Sequence, residues 1–187
     1  LLRLFDKLGL PTDGLFTNPE MTTFTYCKPM RRGISDVVYE DPRLDFINRK
    51  PISGDTEQKV LAHLDKLAEE VDVLAVSDQF DCGVITDKVR ERICEIGKTK
   101  TVVVDSRDRI HLYKNVIIKP NEVEAGRCVG KDLLKGDLNK NLLAAADSLV
   151  KKTSRPVVIT LGGQGSFIFE GGQGYLVAAQ KVEPPID

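Results

Sequence analysis

Apolar positions along this chain recur with two periods, about 3.6 and 2, and the switches between them predict its elements. Leu1, Leu4, Phe5 and Leu8 keep helical spacing, and Gly9 followed by Pro11 ends that helix. From 21 to 30 the β-formers Thr22, Thr23, Phe24, Thr25 and Tyr26 predict a strand. Val37 to Tyr39 and Leu44 to Ile47 predict its partners after the turn residues Arg32, Gly33 and Ser35, giving a small antiparallel sheet outside the main one. Asp55 is an N-cap candidate with Gln58 at N3, and Val60, Leu64, Leu67 and Val71 form the apolar stripe of a long helix. His63 falls with Lys59, Lys66 and Glu70 on the opposite face, where a solvated role is expected.

A buried-type strand over 73–76 then leads through Ser77 to Gly83 into a helix over 86–95. Val89, Ile93 and Ile96 face inward on that helix, and Gly97 serves as C-cap. A strand over 101–104 completes a β-α-β unit, which requires parallel pairing and a right-handed crossover. Leu138, Leu142, Ala145 and Leu149, behind Asp137 as N-cap, predict a further amphipathic helix, and residues 156–161 a strand. Gly162, Gly163 and Gly165 turn the chain into a strand over 166–169. Gly171, Gly172 and Gly174 turn it again into 175–178, which appends an antiparallel meander to a parallel sheet.

The candidate chemistry sits between two short β-branched runs, 101–104 and 116–118. The first ends in Asp105, Ser106 and Arg107, the second in Lys119, Pro120 and Asn121, and such strand ends are where open α/β sheets keep their ligands. A helix beginning at Asn121 places Glu124 on the same face, so an amide and a carboxylate share a helix N-terminus suited to holding Mg²⁺ and phosphate. The same pair is also a variant of the capping box, in which both side chains only satisfy backbone amides. The glycine loop Thr160 to Gly165 is neither a P-loop nor a dinucleotide fingerprint, since a strand follows it. It reads as a hairpin turn or as backbone open enough to approach a phosphate.

Totals narrow the partners. In 187 residues with a net charge of −1, the basic side chains are dispersed, which excludes a nucleic-acid or membrane-surface footprint and favours small-molecule work. Four dispersed cysteines without a C-x-x-C spell neither a zinc site nor a disulfide framework, so a reducing cytoplasm is expected. No apolar run approaches the ~20 residues of a membrane span.

Taken in order, VSDQFDCGVIT (76–86), VVVDSRDR (102–109), KPNEVEA (119–125) and VVITLGGQGSFIF (157–169) resemble the PfkB, or ribokinase-like, carbohydrate kinases. The nearest resemblance is to the heptose-phosphate kinase branch associated with ADP-heptose synthesis. It implies an α/β three-layer ribokinase-like core with a mostly parallel sheet, antiparallel C-terminal strands and a small β lid over 22–49 that covers the sugar and pairs subunits into a homodimer. The nucleotide-binding core would run over 55–187. The resemblance implies ATP and Mg²⁺ as cofactors: Asn121 and Glu124 match the family's N-x-x-E, with Glu124 reaching the metal through water, and Thr160, Gly162 and Gly165 match its T-x-G-x-x-G nucleotide loop. Asp78 and Lys28 fall where substrate contacts are expected, and Asp105 at a neighbouring strand end.

The catalytic base, the Asp of a G-A-G-D motif, is expected beyond Asp187, and a sugar-binding segment before Leu1. Residues 1–187 are thus expected to be a partial kinase domain, inactive alone. The activity implied is ATP- and Mg-dependent phosphorylation of a sugar or sugar phosphate, D-glycero-D-manno-heptose phosphate being favoured. A non-catalytic nucleotide-binding or structural module is the alternative.

Overall fold

The computed structural model describes residues 1–33 and 37–180; Ser35 of the expected lid turn and the closing VEPPID run fall outside that range. Among the described residues five α-helices and ten strands follow in chain order: α1 (Leu2–Lys7), β1 (Thr25–Cys27), β2 (Met30–Arg32), β3 (Val38–Glu40), β4 (Leu44–Phe46), α2 (Gly54–Glu70), β5 (Val73–Asp78), α3 (Asp87–Ile96), β6 (Thr101–Ser106), β7 (Ile117–Ile118), α4 (Glu122–Val129), α5 (Leu138–Thr153), β8 (Val157–Thr160), β9 (Ser166–Glu170) and β10 (Gln173–Val177). Six strands make the main sheet in the order β10-β9-β8-β7-β6-β5. Neighbours from β5 to β8 pair parallel, whereas β8-β9 and β9-β10 pair antiparallel. The α/β class, the parallel core and the appended meander are therefore as expected.

Alternation fixes which strand side chains go inward. Val102 and Val104 on β6, Val157 and Ile159 on β8, and Phe167 and Phe169 on β9 are all buried, and Val89, Ile93, Leu142 and Leu149 meet them from the helices. Gly97 closes α3 for a different reason than its cap position suggests. Its φ of −60° is ordinary, but a Cβ there would overlap the Asn115 carbonyl oxygen, so the residue is small because another loop crosses it. At the β9-β10 hairpin Gly171 and Gly172 both have positive φ, as a two-residue turn of the primed type needs. Gly174 belongs to the strand instead of the turn, and its missing Cβ leaves room for the Phe167 ring.

Two other expectations are corrected. The N-cap of α2 is Ser53, with no side-chain hydrogen bond, and Asp55 lies inside the first turn with Glu57, where acidic charge complements the helix N-terminus. His63 is half-buried instead of solvated: the Phe16 ring meets it edge-on at 5.7 Å, and a Cβ on Gly14 would come within 2.8 Å of its Nε2. The N-terminal loop folds over this face of α2, which no periodicity within the helix could signal.

The segment before α2 forms two separate antiparallel ribbons, β1 with β4 and β2 with β3, outside the main sheet. Pro29 divides the single strand expected over 21–30, since it has no N–H to donate to a ladder. Tyr26, Met30, Val38, Tyr39, Leu44 and Phe46 on these ribbons are all exposed.

Candidate active site

The parallel strands all point the same way, so their C-terminal ends gather Asp78 from β5, Asp105 and Ser106 from β6, Lys119 to Asn121 after β7, and Thr160 from β8. Two backbone bonds continue the ladder past β7: the Lys119 amide donates to the Val104 carbonyl at 2.9 Å and the Thr160 amide to the Pro120 carbonyl at 2.9 Å. The result is an isolated parallel bridge between Asn121 and Thr160. Residues 39 positions apart in sequence, one from each predicted nucleotide motif, therefore stand side by side.

At the start of α4 the capping box is complete. Asn121 Oδ1 accepts from the amides of Val123 at 3.0 Å and Glu124 at 2.8 Å, and Glu124 Oε2 accepts from the Asn121 amide at 2.9 Å. One carboxylate oxygen of Glu124 is thus committed to backbone, and the pair is rigid on a helix N-terminus. Among the described residues no group of three or more His, Cys, Asp or Glu side chains could cage a metal. A single fixed carboxylate fits Mg²⁺ held largely through water and phosphate oxygens, the usual mode for that small hard cation.

The glycine loop separates two roles that the motif merges. At Gly162 and Gly163 a Cβ would meet nothing within 4 Å, so this side of the loop is open to an approaching ligand. Gly165 has φ 101° and ψ −136°, and a Cβ there would overlap the Val177 carbonyl oxygen; the glycine is required by the return of β10 past the loop.

Beside Glu124 opens a groove of about 560 Å³ whose rim carries Arg107, Lys114, Arg127 and Lys152 against Asp108 and Glu124. Asp108 faces Arg127 at 3.6 Å, and Lys152 donates to the Cys128 carbonyl at 3.1 Å. The sequence reading missed this excess of cations, although the i, i+3 spacing of Glu124 and Arg127 does put them on one helix face. Nearer the strand ends Lys119 and Asp105 form a half-exposed ion pair at 3.1 Å, so Asp105 is near the site as expected but already partnered. Burial pushes the Cys128 thiol up, against the lowering influence of Lys152, which keeps that groove residue a neutral thiol.

Asp78 does not face this cleft. Its side chain is fully buried and accepts from Ser106 Oγ at 2.9 Å, from Tyr113 Oη at 2.9 Å and from the Arg109 guanidinium. Three donors from within the chain engage both of its oxygens, so the geometry gives it an internal role instead of the expected substrate contact. Burial, and then the Asp78 charge, push the Tyr113 hydroxyl far above its usual range, so it stays protonated and donating. Lys28 lies at the turn between β1 and β2, with Glu40 at 3.9 Å; it belongs to the ribbon segment and not to the strand ends.

Fold and site together define an α/β protein whose mostly parallel sheet carries a capped helix N-terminus beside an open glycine loop at its strand ends. The model of the pfkB family of carbohydrate kinases matches residues 35–187, and the chain belongs to that family. It is 32% identical over 130 residues to the bifunctional protein HldE of Nitratiruptor sp., covering 68% of this chain and 27% of that protein. To the bifunctional protein HldE of Wolinella succinogenes it is 29% identical over 175 residues, covering 91% of this chain and 35% of that protein. The chain thus spans about a third of the length of these relatives. Among solved structures, Sa239 superposes with a TM-score of 0.70 at 19% identity, over 100% of this chain and 58% of that one. Phosphofructokinase-2 from Escherichia coli in complex with fructose-6-phosphate gives 0.55 at 23% identity, over 78% and 48%. At such identities these two show the fold alone. Among the described residues no helix is long and apolar enough to cross a membrane.

Proposed function

We propose that this chain forms the nucleotide-handling core of a kinase that transfers the γ-phosphoryl group of Mg-ATP to a hydroxyl of a sugar or sugar phosphate. The observation that carries the reading is the Asn121–Thr160 bridge, which sets the N-x-x-E helix start against the open Gly162–Gly163 backbone at the C-terminal end of a parallel sheet. Mg-ATP, when bound, supplies the electrophilic phosphorus and the metal's charge. The chain's own part is positioning: the N-terminus of α4 and Glu124 orient hydrated metal and phosphate, the glycine loop admits the nucleotide, and Arg107 and Lys114 offset negative charge beside Glu124. D-glycero-D-manno-heptose phosphate is the favoured acceptor, supported by the similarity to the HldE proteins and by the DSR and N-x-x-E motifs. The exposed apolar residues of β1 to β4 support their role as a lid that covers the sugar and pairs two subunits, in a cytoplasmic homodimer.

The test is ADP release by the full-length protein with a panel of sugar phosphates, with and without Mg²⁺. Heptose phosphate turnover that vanishes without the metal is the expected result. ATP binding without turnover on any sugar or sugar phosphate would leave the non-catalytic module as the correct reading. For the lid, sedimentation should show a dimer that the Tyr39→Asp exchange dissociates; a monomer at every concentration would reject the pairing.

A further inference from the structure

The ribbons β1 to β4 bury little of themselves, so what holds them to the rest of the fold is a small number of contacts. Two aromatic side chains at the start of this segment, Phe24 and Tyr26, converge on one ring. Phe24 stacks on Phe80 with centroids 4.1 Å apart and planes at 19°, and Tyr26 meets the same ring at 5.7 Å. Phe80 lies in the irregular turn between β5 and α3, outside any ladder. Something must fix that turn if the ring is to anchor anything.

Arg109 does so. Its Nη2 donates to the Phe80 carbonyl at 2.8 Å and its Nη1 to the Asp81 carbonyl at 3.1 Å, while the same guanidinium pairs with Asp78. Asp78 is in turn held by Ser106 and Tyr113, so residues 106–113, the end of β5 and the Phe80 turn form one hydrogen-bonded unit. The Arg107 amide adds a bond to the Asp78 carbonyl at 3.3 Å, and Gln79 Nε2 reaches the Asp105 carbonyl at 3.4 Å. Asp105 pairs with Lys119, two residues before Asn121. An uninterrupted set of contacts therefore runs from the ribbons to the strand ends of the candidate active site.

We propose that Arg109 is a positioning residue: its forked guanidinium, neutralised by buried Asp78, fixes the Phe80 turn against which Phe24 and Tyr26 pack and so sets the position of the ribbon segment that they begin. The planar fork reaches the two carbonyls and the carboxylate from two separate nitrogens, whereas an ammonium has all three of its donors on one nitrogen and no second arm to reach the Asp81 carbonyl. The consequence for turnover rests on the kinase reading, in which displaced ribbons would raise the sugar KM more than they lower kcat. The positional role itself does not depend on that reading.

The closing experiment therefore reads position without catalysis. Limited trypsin digestion of the full-length protein reports the open population of the ribbons through cleavage after Arg31, Arg32 and Arg43 when opening is fast relative to cutting. Arg109→Lys keeps a cation for Asp78 but loses the fork, and is expected to speed those cleavages about tenfold with cleavage after Arg92 on α3 unchanged. Phe80→Leu, which leaves the ion pair intact, should match it, and the double variant should be no faster than either single one, because both act through one ring. Ribbon cleavage at the wild-type rate in Phe80→Leu would overturn the proposal even if Arg109→Lys fails to fold. Additive effects in the double variant would overturn it as well, since Arg109 would then act by a route that bypasses Phe80.

Discussion

Glu124 is the residue on which capping and metal handling make opposite demands, and two substitutions separate them. In Glu124→Gln the amide oxygen still accepts from the Asn121 amide, now 2.9 Å from Glu124 Oε2, so the box survives. The lost negative charge in the first turn is worth roughly 0.3–1 kcal/mol, and Glu122 remains there to complement the dipole. Asn121→Ala instead strips the acceptor from both Val123 and Glu124 amides, which should cost about 1 kcal/mol and lower the Tm by roughly 2–4 °C for a chain of this size. If the carboxylate orients hydrated Mg²⁺, activity must rank the other way. Glu124→Gln is expected to lower kcat at least tenfold, about 1.4 kcal/mol of barrier, and to raise the Mg²⁺ concentration needed for half-maximal rate. Thermal melts and ADP release across a Mg²⁺ titration of the full-length protein supply both axes. Wild-type kcat for Glu124→Gln at limiting Mg²⁺ would refute the metal assignment and leave the carboxylate as a cap.

Much of this fold was legible because its elements are built from local patterns. The stripe of α2, the caps of α4 and α5 and the β-branched runs of β6 and β8 each carry their signal within a few residues. The order β5-α3-β6 then allows only parallel pairing with a right-handed crossover. What escaped was decided at long range. Asp78 at a strand end reads as a site residue until Arg109 and Tyr113, 31 and 35 positions later, arrive to bury and hydrogen-bond it. Gly162 and Gly165 look equivalent in the motif; β10, folding back beside Gly165 alone, makes one a packing requirement and leaves the other open. The basic groove draws on a loop after β6, on α4 and on the end of α5, so no window of sequence contains it.

Two further predictions follow from these contacts. Glu57 on α2 accepts from Thr86 Oγ at 2.7 Å and from Lys88 at 3.1 Å, which hold its carboxyl below the usual range, the hydroxyl bond first. A depressed carboxyl contributes stability above its unfolded value and loses it as pH falls through the folded one. The gap in urea midpoint between wild type and Glu57→Gln should therefore be full at pH 7 and close below the ordinary glutamate value of about 4.3; a gap constant to pH 3 would reject the assignment. The glycine loop offers the contrasting pair. Gly165→Ala combines a φ of 101° with overlap of the Val177 carbonyl, and backbone strain of this kind alone amounts to about 1–3 kcal/mol. Relief would require the start of β9 to part from the end of β10, so a Tm loss of several degrees is expected, with or without nucleotide. Gly163→Ala has open space around its Cβ and no positive φ, so it should leave Tm within a degree and act only where a ligand comes close. If the open side of this loop faces ATP, the KM for ATP rises in Gly163→Ala while the melt is unchanged. An unchanged KM with a normal melt would place the nucleotide elsewhere, and would leave the loop as the hairpin connection that its position between two strands also allows.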